Sequence, residues 1–188
     1  MSKWKKFKGR WKDCSLCSLC NERFRIVLYR GTIPCDVLFV GEAPGESEDN
    51  LGRPFVGPAG KLLNKQVEEA LRSSGKHEVL STGFTNLVCC IPRVDGRKIG
   101  EPEKNCIKAC ATRLEEQFLI CNPRLVVAVG DLSNKWINLL QNKLLTGNRF
   151  EELVHITHPA AILRAELVRQ NLMDRKVVVA LENHFRDL

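Results

Sequence analysis

The sequence predicts an α/β fold, a parallel sheet covered on both faces by helices. Apolar runs of strand length recur at 35–40 (CDVLFV), 84–89 (FTNLVC), 125–129 (LVVAV) and 153–156 (LVHI). They are nearly continuous rather than alternating, the pattern of strands buried on both sides. Segments of helical periodicity separate them, as right-handed strand–helix–strand crossovers require.

At the N-terminus, Lys3, Lys5, Lys6, Lys8, Arg10 and Lys12 stand without a single acid up to residue 12, and so carry six of the chain's seven net positive charges. Trp4, Phe7 and Trp11 recur at i, i+3 and i+7, one helical face that docks on the body. The lysines are then solvated or meet phosphate. Cys35 to Val40 is a buried strand ending at Gly41, which opens the loop Gly41-Glu42-Ala43-Pro44-Gly45. Leu62, Leu63, Val67 and Leu71 make Ala59–Leu71 a helix. The strand Phe84–Cys89 follows, then a helix over Glu103–Leu119 with Pro102 at its start. Leu125–Val129 closes on Gly130 and Ser133–Leu140 is helical. Leu153–Ile156 leads into His158-Pro159, and Val177–Arg186 is a closing helix. Ligands of parallel sheets sit beyond the carboxyl ends of the strands. Here those ends carry Gly41–Gly45, Asn86, Gly130 and His158, which are expected to converge on one pocket.

With 188 residues, 44% hydrophobic and 27% charged, the chain reads as one globular domain over 1–188, with 1–12 as a basic N-terminal extension. No run of 18 apolar residues suggests a membrane span. Met1–Trp11 lacks the apolar segment of a secretory signal. Nine cysteines without such a signal point to a reducing, cytoplasmic compartment, where thiols stay free or bind metal. Cys14-x2-Cys17 is half of a metal site, and Cys90-x15-Cys106 can supply the other half. No second CxxC and no His pair at zinc-finger spacing accompany them, so a zinc ribbon fits poorly. An iron–sulfur cluster tolerates uneven spacing, because it presents four separate corners to its ligands.

Several motifs stand in order: Cys14-x2-Cys17-x-Leu19; GEAPG at 41–45 with Glu48-Asp49 soon after; GRPFVGPAGKLL at 52–63; Thr85-Asn86 ahead of Cys90; Cys106; and HPAAILR at 158–164. From Cys14 to about Arg164 the chain resembles the family 4 uracil-DNA glycosylases. The resemblance implies a three-layer α/β/α sandwich with a central four-stranded parallel sheet. It also implies a [4Fe-4S] cluster on Cys14, Cys17, Cys90 and Cys106. The implied reaction is monofunctional excision of uracil from single- or double-stranded DNA by hydrolysis of the N-glycosidic bond, the opening step of base excision repair. The expected partner is uracil-containing DNA, with no membrane and a monomeric enzyme. Two departures stand out. Cys89 occupies a position where the family commonly has a basic residue, which leaves it an alternative to Cys90 as third ligand. Ile91-Pro92-Arg93 replaces a more usual Arg-Pro-Pro.

Each site residue then has an expected task. The Asn86 amide offers an acceptor and a donor to uracil N3–H and O4, a pattern cytosine reverses. Phe55 stacks on the base. His158 donates a hydrogen bond to uracil O2 as negative charge develops there. Glu42 positions the attacking water, with the Gly41–Ala43 backbone beside the base. Glu48 crowds the C5 side and excludes thymine's methyl group. Ile162 or Leu163 wedges into the stack and Arg164 holds a phosphate. His155 is expected to serve packing. The rival reading is a non-catalytic or covalently trapping uracil-DNA binder. A related group traps its substrate with a His on an inserted loop; Ile91–Asn105 contains no His, which favours turnover.

Overall fold

The computed structural model describes residues 2–94, 96, 98–143 and 150–188. The central sheet has the order β1-β3-β2-β6-β7, with β1 (Arg30–Gly31), β2 (Val37–Gly41), β3 (Thr82–Asn86), β6 (Leu125–Val129) and β7 (Glu152–Ile156). Four strands are parallel, as expected, and the short edge strand β1 runs antiparallel to β3. A separate hairpin, β4 (Arg93–Val94) with β5 (Lys98–Ile99), leaves the sheet altogether.

β2 and β6 are buried along their whole length, so each side chain finds a helix on its own face. Val37, Phe39, Val127 and Val129 pack under α3 (Pro58–Ser73), α6 (Pro159–Leu163) and α7 (Leu167–Asp187). Leu38, Val40, Val126 and Ala128 pack under α4 (Lys104–Cys121) and α5 (Asp131–Lys143). These are the three expected layers. The chain steps from β2 to β3 on one side and then crosses back to β6 on the other, so the reversal falls at β2. That reversal opens a crevice beyond the strand ends. Register sets its floor, since Gly41 pairs with Asn86 and Val129 with Ile156.

Helix α1 (Lys3–Trp11) begins on the Ser2 side chain. It buries Phe7 and Trp11 against Leu28 and Cys89. Trp11 Nε1 donates to Glu116 Oε2 at 2.7 Å, and Arg10 pairs with Glu116 at 2.9 Å. Phe7 is 0% exposed, so Phe7→Ala is expected to cost about 3–5 kcal/mol in urea unfolding. A loss under about 1 kcal/mol would mean that the helix does not pack there.

Three boundaries differ from expectation. The second strand lies at Thr82–Asn86. Leu87–Ile91 is apolar because it is a buried connection, not because it is a strand. The closing helix begins ten residues earlier, at Leu167, through turns whose apolar residues Leu167, Val168 and Leu172 are exposed rather than in the core. A further helix, α2 (Glu46–Leu51), lies in the loop after GEAPG. Among the described residues, no helix is long and apolar enough to cross a membrane.

Candidate active site

The crevice holds a cavity of about 520 Å³. Gly41, at the end of β2, lies beneath two residues that line it, Asn86 and Phe55. A Cβ there would fall onto Asn86 Oδ1 and lie 2.6 Å from Phe55 Cζ. Glycine is therefore what lets the amide and the ring approach each other. Asn86, at the end of β3, is 3% exposed and lines the cavity. Its side-chain amide has no hydrogen-bond partner among the described residues, so both its donor and its acceptor remain for a ligand.

Phe55 borders the same cavity in a left-handed conformation, φ 55°. A non-glycine residue held there is strained, and its surroundings must enforce it. Asn64 Nδ2 donates to its carbonyl at 3.3 Å. Arg30, from β1, donates to Asn64 Oδ1 at 2.7 Å and to the Pro54 carbonyl at 3.1 Å. Gly60 packs against the Phe55 backbone with no room for a Cβ. The ring meets Phe84 edge-on at 5.9 Å.

Glu48 joins the two loops. Its Oε1 accepts from the N–H groups of Val56 (2.8 Å) and Gly57 (2.7 Å), and its Oε2 from Gly45 (3.1 Å). The carboxylate thus cross-links GEAPG to FVG while lining the cavity. Asp49, beside it, is 1% exposed and accepts from the N–H groups of Phe24 and Arg25. That ties the segment after the first cysteines to α2.

His158 follows β7 and caps α6. Its Nδ1 accepts from the Ala160 N–H at 3.1 Å, so in the neutral ring the proton sits on Nε2. Burial holds its pKa below the ordinary value, and Arg164 adds to the effect. The site therefore offers a neutral Nε2–H donor. Glu42 lies opposite. A Cβ on Gly130 would stand 2.6 Å from Glu42 Oε1 and 3.1 Å from His158 Cβ, which puts both residues around that glycine. Burial raises the Glu42 pKa, with Glu101 and Asp131 adding to the shift; the Leu132 N–H and Arg164 oppose it. Ala43 and Arg164 also line the cavity.

At the mouth, Ile162 is 0% exposed and belongs to the core, whereas Leu163 is 43% exposed. Of the two wedge candidates, only Leu163 projects without unpacking the fold. His155 is exposed and pairs with Asp131 at 3.1 Å, so it neither lines the cavity nor packs in the core. The β4–β5 hairpin supplies a wall through Ile99, a part that sequence patterning did not show.

On the far side of β3 lies a second, apolar cavity. Cys14, Cys17, Cys20, Cys89, Cys90 and Cys110 line it, together with Trp11, Leu28 and Arg113. Cys106 is not among its lining residues; its thiol lies 3.4 Å from Ser18 Oγ and interacts with Cys17. Burial raises the pKa of Cys17 to about 12 and of Cys90 to about 11, and Arg23 Nη1 meets Cys90 Sγ at 3.4 Å. Among the described residues, no three His, Cys, Asp or Glu side chains converge closely enough to hold a single ion.

The family profile described as Uracil DNA glycosylase superfamily matches residues 29–182, most of the chain. The chain belongs to the uracil DNA glycosylase superfamily. Within that superfamily it is 34% identical over 188 residues to the type-4 uracil-DNA glycosylase of Saccharolobus solfataricus, covering 92% of this chain and 83% of the relative. It is 38% identical over 137 residues to the type-4 enzyme of Sulfurisphaera tokodaii, covering 73% of this chain and 59% of that protein. Identity to the Pyrobaculum aerophilum type-4 enzyme is 34% over 172 residues, with 84% of this chain and 83% of the relative covered. The crystal structure of Pedobacter heparinus SMUG2 superposes with a TM-score of 0.59 at 12% identity, over 80% of this chain and 76% of that one. It supports the superfamily's α/β fold.

Proposed function

We propose that this protein is a monofunctional uracil-DNA glycosylase that flips uracil out of DNA and hydrolyses its N-glycosidic bond. The observation that carries this reading is the grouping of Asn86, Phe55, His158 and Glu42 around one cavity of base-accepting size. The type-4 relatives support it through their names.

The base enters between the strained Phe55 ring and the backbone at Gly41–Ala43. Asn86 Oδ1 accepts from N3–H and its amide donates to O4. Cytosine would oppose donor to donor and acceptor to acceptor, leaving buried groups unpaired. As the glycosidic bond breaks, negative charge collects on uracil O2. The His158 Nε2–H, already oriented by Ala160, donates to it without reorganising. Glu42 holds the water that attacks the sugar. A carboxylate there orients the water, and the Leu132 N–H and Arg164 favour its charged form against the burial that raises its pKa. Glu48 fixes the side wall through its three backbone bonds, and that wall excludes thymine's methyl group. Leu163 fills the vacated stack and Arg164 binds a flanking phosphate. No lysine lies in the cavity, so nothing invites the Schiff-base chemistry of a lyase.

The thiols around the second cavity are the donor chemistry of a [4Fe-4S] cluster. Several thiols surround an apolar space without converging on one point, as a multi-atom thiolate-held cluster requires and a single ion does not. Cys14, Cys17, Cys90 and Cys106 would hold it; the Cys106 thiol interacts with Cys17, and Cys110 lies beside them. When bound, the cluster supplies a cross-link between the N-terminal segment and α4. The same reading makes the protein a monomer of a reducing, cytoplasmic compartment.

Two measurements test these statements. Purified protein incubated with a uracil-containing oligonucleotide and then alkali is expected to give strand breaks, while a cytosine control stays intact. Uncut uracil strands would overturn the reading. Cys106→Ser is expected to lower iron from about four per chain, whereas Cys110→Ser keeps it. The reverse result would make Cys110 the ligand.

A further inference from the structure

Arg113 on α4 is 1% exposed and heads the fully buried side chains by size. Its fork meets neutral oxygens and, at longer range, one thiol. Nη1 donates to Thr85 Oγ1 (3.0 Å) and Gln117 Oε1 (2.7 Å). Nη2 donates to the carbonyls of Asn86 (2.6 Å) and Leu87 (2.8 Å). The N–H on Nε has no acceptor among the described residues, and no carboxylate lies within ion-pair reach of the guanidinium among them. A cation taken fully out of water without an anion is costly. The groups near enough to carry the missing negative charge are thiols. Cys110 Sγ lies 3.9 Å from Nη2, and Arg113 lines the same cavity as Cys14, Cys17 and Cys90.

We propose that Arg113 is a positioning residue that serves two sites at once. It is the counter-cation of the thiolate-held centre, and it fixes the Asn86–Leu87 turn that presents the uracil-reading amide. The first duty rests on the cluster reading above; the second rests on hydrogen bonds alone. β3 ends at Asn86, and the carbonyls of Asn86 and Leu87 belong to buried residues. One guanidinium satisfies both and reaches the thiol cavity with the same atom. Thiolates around iron concentrate negative charge in an apolar space, and a guanidinium is the cation best suited to stand beside them while holding two carbonyls in a fixed fork.

The test separates the duties with two variants of the iron-loaded protein. Arg113→Met removes the charge at similar length. Arg113→Lys keeps the charge but cannot fork. Iron per chain, midpoint potential by voltammetry and single-turnover uracil release are measured on each. The Met variant is expected to hold less iron, and the fraction that keeps it to show a more negative potential, since a nearby positive charge is gone. The Lys variant is expected to retain iron and a near wild-type potential. Both are expected to release uracil at least about tenfold more slowly, because the fork to Asn86 is lost, with affinity for uracil-containing DNA little changed. An iron-loaded Met variant with wild-type potential overturns the counter-cation duty. A Lys variant with wild-type release rate overturns the positioning duty, and it alone decides if the Met variant does not fold. Wild-type protein that binds no iron overturns the cluster reading and the first duty with it, while the Lys release rate still tests the second.

Discussion

His158→Ala is expected to slow single-turnover release of uracil by about 10²–10³, the usual loss when one preorganised donor to a developing oxyanion is removed. The structure explains why the donor is preorganised. The Ala160 N–H occupies Nδ1, which leaves the proton on Nε2, and burial keeps the ring neutral. The bond to O2 strengthens as charge grows, so affinity for uracil-containing DNA should change far less than the rate. pH provides a second readout. A depressed histidine pKa means that the folded protein binds its proton less readily than the unfolded chain does. Between the depressed value and the ordinary value near 6.5, the unfolded chain carries more proton, so this group's contribution to stability is full above 6.5 and is lost as pH falls. His158→Ala should flatten that part of the stability profile. Unchanged release by folded His158→Ala protein would remove the histidine from the chemistry.

Asn86→Asp is expected to lower uracil excision by about 10² or more in single-turnover assays on duplex and single-stranded oligonucleotides. The substitution keeps shape and the acceptor for N3–H. It replaces the donor to O4 with an oxygen, so two acceptors face each other in a buried site. Gly41 packs against Oδ1 and Arg113 holds the backbone carbonyl, so the side chain has little freedom to escape the clash. A rate within threefold of wild type, with an unaltered unfolding curve, would exclude the amide from base recognition.

The fold was legible where the physics is local. Buried parallel strands announce themselves by unbroken branched residues, and β2 and β6 lie close to where the text places them. The parts that escaped depend on distant partners. Leu87–Ile91 is as apolar as a strand because it lies under a helix and a thiol cavity. The first turns of α7 showed no core stripe because their apolar residues Leu167, Val168 and Leu172 stay exposed. In the site, motif residues with a glycine at the strand end were readable, and Glu42–Gly45, Asn86 and His158 do converge. Glu48 reads from sequence as a wall; the three backbone donors that hold it appear only in three dimensions. Arg113 left one clue, a cation amid the buried residues Ile107, Ala111, Leu114 and Phe118 of α4. Its i, i+4 partner Gln117 could have marked it as a buried polar pair.

The arrangement of the cysteine cavity has a consequence for how the protein is made. Cys14 and Cys17 leave the ribosome early, whereas Cys90 and Cys110 follow only after β2, α3 and β3 have been synthesised. Trp11, just ahead of the first thiol, already belongs to the wall of the finished cavity. A nascent chain therefore exposes two thiols and an apolar helix face until those later residues emerge. Maturation of the proposed centre would then fall late, after α4 emerges, when the amino-terminal helix can shut over it. Recombinant yield should then depend on iron and sulfide supply during synthesis more than on refolding afterwards.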